Sequence, residues 1–356
     1  MTLHKISKYF QGITIIGICM LTTGVVSGCT KEEPSAAVIP ELKKLGEDPR
    51  DINIANDKNY IYFSSGDPNY ENAIIVTLDI DTSEVSTKFI KGVQKCCVLP
   101  QQNLVLAVEQ DGSLSSRPLD HPNQVTARIP VDIESFFSRY FGPSESKRFA
   151  VLEARHIKLD DGTDNQLIVL NPKTLSILAT AKFDSRYYDF YQASNGKQYE
   201  KPPFVKKNTL IYSIVDEGKN GVSIESSIMS KCEECSGLIG RDSSGSWVFR
   251  DYMPITRKFF IGNRKIDLPR DFWESNGRAI YDNKFIYDDN KGITIVDLDS
   301  GKDWRFYVKH KNDLSHIGMF FIDGFEGIGI LSQPQLYFLD LSGPEPRFVS
   351  LKDLFQ

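Results

Sequence analysis

Short apolar runs that stop at an aspartate or asparagine and then enter a small polar turn recur along the chain. The clearest is Gly292-Ile293-Thr294-Ile295-Val296-Asp297-Leu298-Asp299-Ser300-Gly301-Lys302, and Ile74-Ile75-Val76-Thr77-Leu78-Asp79-Ile80-Asp81-Thr82-Ser83-Glu84 has the same shape. Leu167-Ile168-Val169-Leu170-Asn171-Pro172-Lys173-Thr174 and Leu336-Tyr337-Phe338-Leu339-Asp340-Leu341-Ser342-Gly343 are further copies, and Arg117-Pro118-Leu119-Asp120-His121-Pro122-Asn123 is a weaker one. Each reads as a strand running into a hairpin, because Asp, Asn, Ser and Gly supply the turn geometry that folds the next strand back.

Aligned on the Asp or Asn, the copies fall at positions 79, 120, 171, 297 and 340, spaced by 41, 51, 126 and 43. The longest gap has room for two degenerate units, and Leu210-Ile211-Tyr212-Ser213-Ile214-Val215-Asp216 and Leu238-Ile239-Gly240-Arg241-Asp242-Ser243-Ser244-Gly245 are the candidates. About 300 residues follow Asp51, too many for one ordinary core unless the chain is repetitive. A period of roughly 40 to 50 residues built of short strands predicts an all-β fold, a β-propeller with four-stranded blades around a channel. Seven blades are expected, with six or eight as alternatives and a pair of β-sandwiches as the competing architecture.

The repeated units resemble those of bacterial β-propellers of the YVTN and WD40-like kind, in which a strand ends in a Val-x-Asp-x-x-Thr or Ser-Gly turn. The resemblance covers five segments well and the remainder loosely. It implies an architecture and no activity, since propellers host many unrelated functions. In such rings the two chain ends share a blade, so Ile52-Asn53-Ile54 is expected near residues 338–349.

Two stretches interrupt the strand pattern. Ile133, Phe136, Phe137 and Tyr140 stand at helical spacing between Asp132, a fitting N-cap, and Gly142-Pro143, a fitting stop, which predicts a short helical insertion. Farther on, Arg186, Tyr187, Tyr188, Tyr191 and Tyr199 mix arginine with tyrosine as binding hot spots do. Phe136, Phe137, Arg139 and Tyr140, with this second group, are the candidate partner-binding residues. The plain alternative is that both stretches cover the edges of their own blades.

The first residues have a different character. His4, Lys5 and Lys8 precede an apolar stretch from Ile13 to Val26 and the small residues Ser27 and Gly28, which is the layout of a secretory signal. Val26-Ser27-Gly28-Cys29 resembles the lipobox of bacterial lipoproteins, in which lipid is attached to the cysteine and the peptide before it is removed. The resemblance implies a signal peptide over residues 1–28, diacylglycerol and palmitate on Cys29, and a lipid-anchored protein of the cell envelope. Thr30, where an aspartate would retain the protein at the inner membrane, points to the outer membrane and a periplasmic face. An uncleaved span needs about 20 apolar residues, and this run is broken by Gly17, Thr22, Thr23 and Gly24. Residues 29–50 read as a flexible tether and residues 51–356 as the propeller domain.

Loss of residues 1–28 removes two lysines and no acid, leaving 40 basic against 47 acidic side chains. That balance argues against a nucleic-acid partner, which needs a concentrated basic face. Beyond Cys19 and Cys29 there remain Cys96, Cys97, Cys232 and Cys235, an even set that favours disulfides in an oxidising compartment, with the pairing open. Glu233 and Glu234 oppose the low thiol pKa that redox service by Cys232 and Cys235 would need. His121, His156, His310 and His316 have no metal-pair spacing, and no nucleophile elbow or phosphate loop is present. The acid-rich residues 160–165 and 288–292 lack a full calcium-loop spacing and read as hairpin turns. No cofactor or metal is expected. The reading is a membrane-anchored module that binds another envelope protein as scaffold, assembly factor or inhibitor. An enzyme acting on envelope glycans and a thiol redox protein are the alternatives.

Overall fold

The computed structural model describes residues 36–45, 52–66, 69, 71–130, 141–143, 148–155, 165–182, 189–192, 198–201, 210–218, 221–228, 235–241, 247–251, 258–261, 264–267, 278–288, 292–308 and 318–354. They belong to one compact unit, Lys31–Gln356. The signal segment and Cys29 lie outside the described residues, as does the expected helix at residues 132–140.

The apolar runs form antiparallel strands that follow one another in space as they do along the chain. Asn53–Asn56, Tyr60–Gly66, Asn72–Asp79 and Val85–Lys91 make the first four-stranded sheet, and Val93–Leu99, Leu104–Glu109, Leu114–Pro118 and Ala127–Ile129 make the second. The third is Phe141–Pro143, Ala150–Arg155, Asn165–Leu170 and Ile177–Lys182. Gly142-Pro143, expected as a helix stop, lies with Phe141 in paired backbone at the start of a sheet. Two hairpins follow, Asp189–Gln192 with Gln198–Lys201 and Leu210–Asp216 with Val222–Ile228. Then come sheets of Cys235–Arg241, Trp247–Asp251, Lys258–Ile261 and Arg264–Asp267, and of Arg278–Tyr281, Lys284–Asp288, Gly292–Asp297 and Asp303–Tyr307. The last sheet holds Gly318–Phe321, Gly327–Ser332, Gln335–Asp340 and Arg347–Val349, with Ala37–Val38 as a fifth strand.

The middle strands of the first, second and last two sheets are buried on both faces, which is why they are continuous apolar runs rather than alternating ones. Strand alternation sends Val105 and Ala107 into a core shared with the first sheet's Ala73 and Ile75, while Leu104, Leu106 and Val108 enter a core shared with the third sheet's Leu152 and Ile168. The last sheet behaves likewise. Ile328 and Ile330 pack with Ile286, Ile293 and Ile295 of the sheet before it, and Leu331, Leu336 and Phe338 pack with Ile61, Phe63 and Val76 of the first sheet. First and last sheets thus share a core, an arrangement that two stacked sheets do not make.

The recurring Asp or Asn sits where the third strand of a sheet turns into the fourth. Side-chain oxygens of Asp79, Asn171 and Asp297 accept hydrogen bonds from the N–H groups of Thr82, Thr174 and Ser300, three residues on, at 2.8, 3.3 and 2.7 Å. The N–H of the next residue bonds back to the carbonyl of the same Asp or Asn, and that residue, Ser83, Leu175 or Gly301, takes a left-handed φ of 61°, 59° or 73°. The hydroxyls of Thr82, Thr174 and Ser300 then accept the N–H two residues farther along. One turn is therefore built three times from the same parts. Leu210–Asp216 holds the equivalent place in its hairpin. Residues 238–245 do not, because Cys235–Arg241 opens its sheet and Lys258–Ile261 is the third strand there.

Ile52 and Ile54 do share a core with Phe338 and Val349, as expected, but the strand that joins the two chain ends in one sheet is a different one. Asn53–Asn56 belongs to the first sheet alone, and Ala37–Val38 pairs with Gln335–Asp340, Ala37 opposite Leu336 and Val38 opposite Gln335. Residues 36–45, expected as part of a flexible tether, are docked. Ile39, Leu42 and Leu45 are apolar at a spacing of three, so the single 3-10 turn Pro40–Lys44 buries all of them on one side.

Candidate functional site

The candidate partner residues are only partly described. Phe136, Phe137, Arg139 and Tyr140 lie in the connection from the second sheet to the third, and Arg186, Tyr187 and Tyr188 in the connection leaving the third; all seven fall outside the described residues. Tyr191 and Tyr199 are direct cross-strand partners in the hairpin that follows.

Cys96 and Cys97 are free thiols, which corrects the expected disulfide at these positions. The reason is their place in the middle of Val93–Leu99. Neighbouring residues of a strand face opposite ways, so Cys96 enters the core between the first and second sheets and Cys97 the core between the second and third. Burial pushes the Cys96 thiol up to about 12, and Cys97 well above its ordinary value with the Cys96 thiol adding to the effect. Held protonated, neither is a nucleophile or a ready metal ligand. Cys235 starts a strand opposite Asp251, and Cys232 lies outside the described residues.

A buried polar constellation lies on the second sheet, at the side facing the first. Glu109, Ser115 and Arg117 share a face because they stand two apart along paired strands. The Arg117 guanidinium donates from Nη2 to Glu109 at 2.7 Å, from Nε to the Ser115 hydroxyl at 2.9 Å and from Nη1 to the Pro122 carbonyl at 2.9 Å. Deeper in the same seam, Ser64 and the Asn53 amide both donate to the Cys96 carbonyl, at 3.1 and 3.0 Å. Toward solvent, Asp111 accepts from the Ser113 hydroxyl and N–H and from Arg128, and these bonds hold its carboxyl well below the usual range. Every nitrogen of the buried Arg117 donates inside the chain, so this guanidinium locks a seam. Sequence reading passed over it because Glu109 and Arg117 sit in an otherwise ordinary strand pair.

A second feature is the distribution of exposed apolar side chains. Phe89, Ile177, Leu178, Tyr307 and Val38 lie on the outermost strands of their sheets, and Val125 lies just before another. Around Phe89 the edge is partly covered: the Asn123 amide donates to the Phe89 carbonyl at 3.1 Å and accepts the Lys91 N–H at 3.2 Å, imitating a paired strand. Among the described residues no three His, Cys, Asp or Glu side chains gather as a metal site, and no helix is long and apolar enough to cross a membrane. Asp288 and Gly292 end and begin paired strands, so the acid-rich stretch between them joins a hairpin.

No family model and no curated sequence matches the chain. Solved structures do resemble it. The acylaminoacyl peptidase of Pyrococcus horikoshii is 12% identical over 87% of this chain and 54% of that one, at a TM-score of 0.48. The chain thus spans about half the length of that peptidase. The β-propeller domain of the Trilobed protease from Pyrococcus furiosus, which has an open velcro topology, is 10% identical over 85% of this chain and 96% of that one, at 0.47. The β-propeller domain of Cps50 (Swd1) from Myceliophteria thermophila is 9% identical over 82% of this chain and 97% of that one, at 0.51. This last likeness, with the doubly buried antiparallel sheets, places the chain among the all-β proteins of β-propeller architecture.

Proposed function

We propose that the protein is a lipid-anchored module of the cell envelope whose propeller binds another envelope protein. The observation that carries the binding role is the set of exposed apolar side chains on outermost strands, Phe89, Ile177, Leu178 and Tyr307, mounted on sheets whose inner strands are buried on both faces. A rigid support loses little conformational entropy on association, so a few such anchors suffice. The anchor rests on the residues Val26-Ser27-Gly28-Cys29 behind a charged and then apolar start. On this reading only residues 30–35 separate the lipid from the docked segment, at most roughly 25 Å of extended chain. The partner would then be met close to the lipid surface.

The test is intact mass and fractionation of the native protein beside Cys29→Ala. The native form should carry the mass of diacylglycerol and acyl chain and sediment with membranes, and the variant should be soluble and unmodified. Equal behaviour of the two removes the anchor. Cross-linking in solubilised envelope should then capture a protein through Ile177 and Leu178, and the paired change to Ser should lower the yield about tenfold or more. An undiminished yield would move the interface elsewhere.

A further inference from the structure

We infer that the seam between the last and first sheets is a binding groove for an apolar segment made of a short strand and a 3-10 turn, that residues 36–45 fill it as a strap, and that the strap is held by its own contacts rather than by the chain that follows it. This stands independently of any lipid on Cys29.

The strap makes two kinds of contact. Its backbone is read by the last sheet. Ala37 and Val38 pair along Gln335–Asp340, the Ile39 N–H donates to the Pro334 carbonyl at 3.0 Å, and the Gln333 amide donates to the Leu42 carbonyl at 2.9 Å. Its side chains are read by both sheets. Ile39, Leu42 and Leu45, at 3%, 0% and 1% exposure, join one core with Ile61, Phe63 and Leu78 of the first sheet, with Ile52 just before it, and with Phe320, Leu331, Leu336 and Phe338 of the last.

The strap also shares its edge. Gln335–Asp340 pairs with Arg347–Val349 through Phe338, Leu339 and Asp340, and with the strap through Gln335 and Leu336. The outer border of the last sheet is thus completed half from each side of the chain, and the C-terminal Leu351 and Leu354 enter the same core as the strap. Strand pairing of Ala37 and Val38 supplies register, as where a sheet edge takes an added strand, while the 3-10 turn presents three apolar side chains at i, i+3 and i+6 that supply affinity. None of these contacts uses residues 46–51, so severing the chain there leaves every one of them intact.

The experiment is to place a site-specific protease sequence within residues 46–51 of the mature chain, cut it, and follow the severed N-terminal fragment by gel filtration at micromolar concentration. The fragment should stay with the propeller. Leu42→Asp in the cut protein should release it, with affinity down on the order of a thousandfold or more. Leu42→Ala, a milder change, should weaken retention by about thirtyfold or more, while Val38→Ser, at an exposed strap position, should leave it unchanged. Departure of the unsubstituted fragment on cutting would overturn the inference, and so would full retention in both Leu42 variants.

Discussion

At the scale of single residues, the repeated turn depends on one side-chain acceptor. Asp79, Asp297 and Asp340 are held below the ordinary carboxylate range. At Asp79 the Thr82 N–H is the main cause; at Asp297 and Asp340 partial burial pushes upward but is outweighed by bonds from Ser300 and Ser342 and by Lys284 and Arg347. A depressed folded pKa contributes stability above the unfolded value, near 4, and that contribution fades as pH falls through the lower folded values. Asp297→Ala, which removes the acceptor of the Ser300 N–H and hydroxyl, should cost about 1 kcal/mol in urea unfolding at neutral pH. Asp297→Asn should cost less, because Asn171 does the same work in the third sheet, and should flatten the loss of stability below pH 4. Equal losses for the two variants would mean the charge, not the acceptor, holds the turn.

Among the elements, the second sheet shows how a polar group is kept inside a doubly buried strand. The Arg117 and Glu109 side chains are 5% and 9% exposed, and their pair survives there because Ser115 and Pro122 satisfy the remaining guanidinium nitrogens. Removing one partner strands the other charge. Glu109→Ala should therefore destabilise by about 3 to 5 kcal/mol, and the double change Arg117→Met with Glu109→Leu should recover much of it. Chemical denaturation of the two variants beside the native protein checks this, and a double variant no better than Glu109→Ala would point to packing as the cause. The alternation that divides Cys96 from Cys97 is the same rule at work, and it sends the two thiols into different cores.

For the whole molecule, the decisive feature is that the first and last sheets share a core that the strap completes. Leu42→Ala in the uncut chain should cost about 2 to 5 kcal/mol, as large-to-small changes in cores do. Its effect should reach both sides of the seam, raising amide exchange in Tyr60–Gly66 and in Gln335–Asp340 together. Exchange raised in the last sheet alone would show that the strap belongs to that sheet and does not bridge.

Strand positions, the Asp-centred turns and the propeller architecture were legible in the linear chain because they depend on local periodicity and turn chemistry, which act over a few residues. Asp79, Asn171, Asp297 and Asp340 all sit where the pattern put them, and the unit at residues 238–245 failed because its turn joins the first two strands of a sheet instead of the last two. Other features were not legible because they arise between segments far apart in the chain. Residues 36–45 have the charged, proline-bearing look of a tether, and their three buried side chains acquire meaning only once Leu336 and Phe63 are brought beside them. The pairing of Arg117 with Glu109 and the separation of Cys96 from Cys97 follow from strand register and from which face meets which core. Those are properties of neighbours in space, and composition carries no record of them.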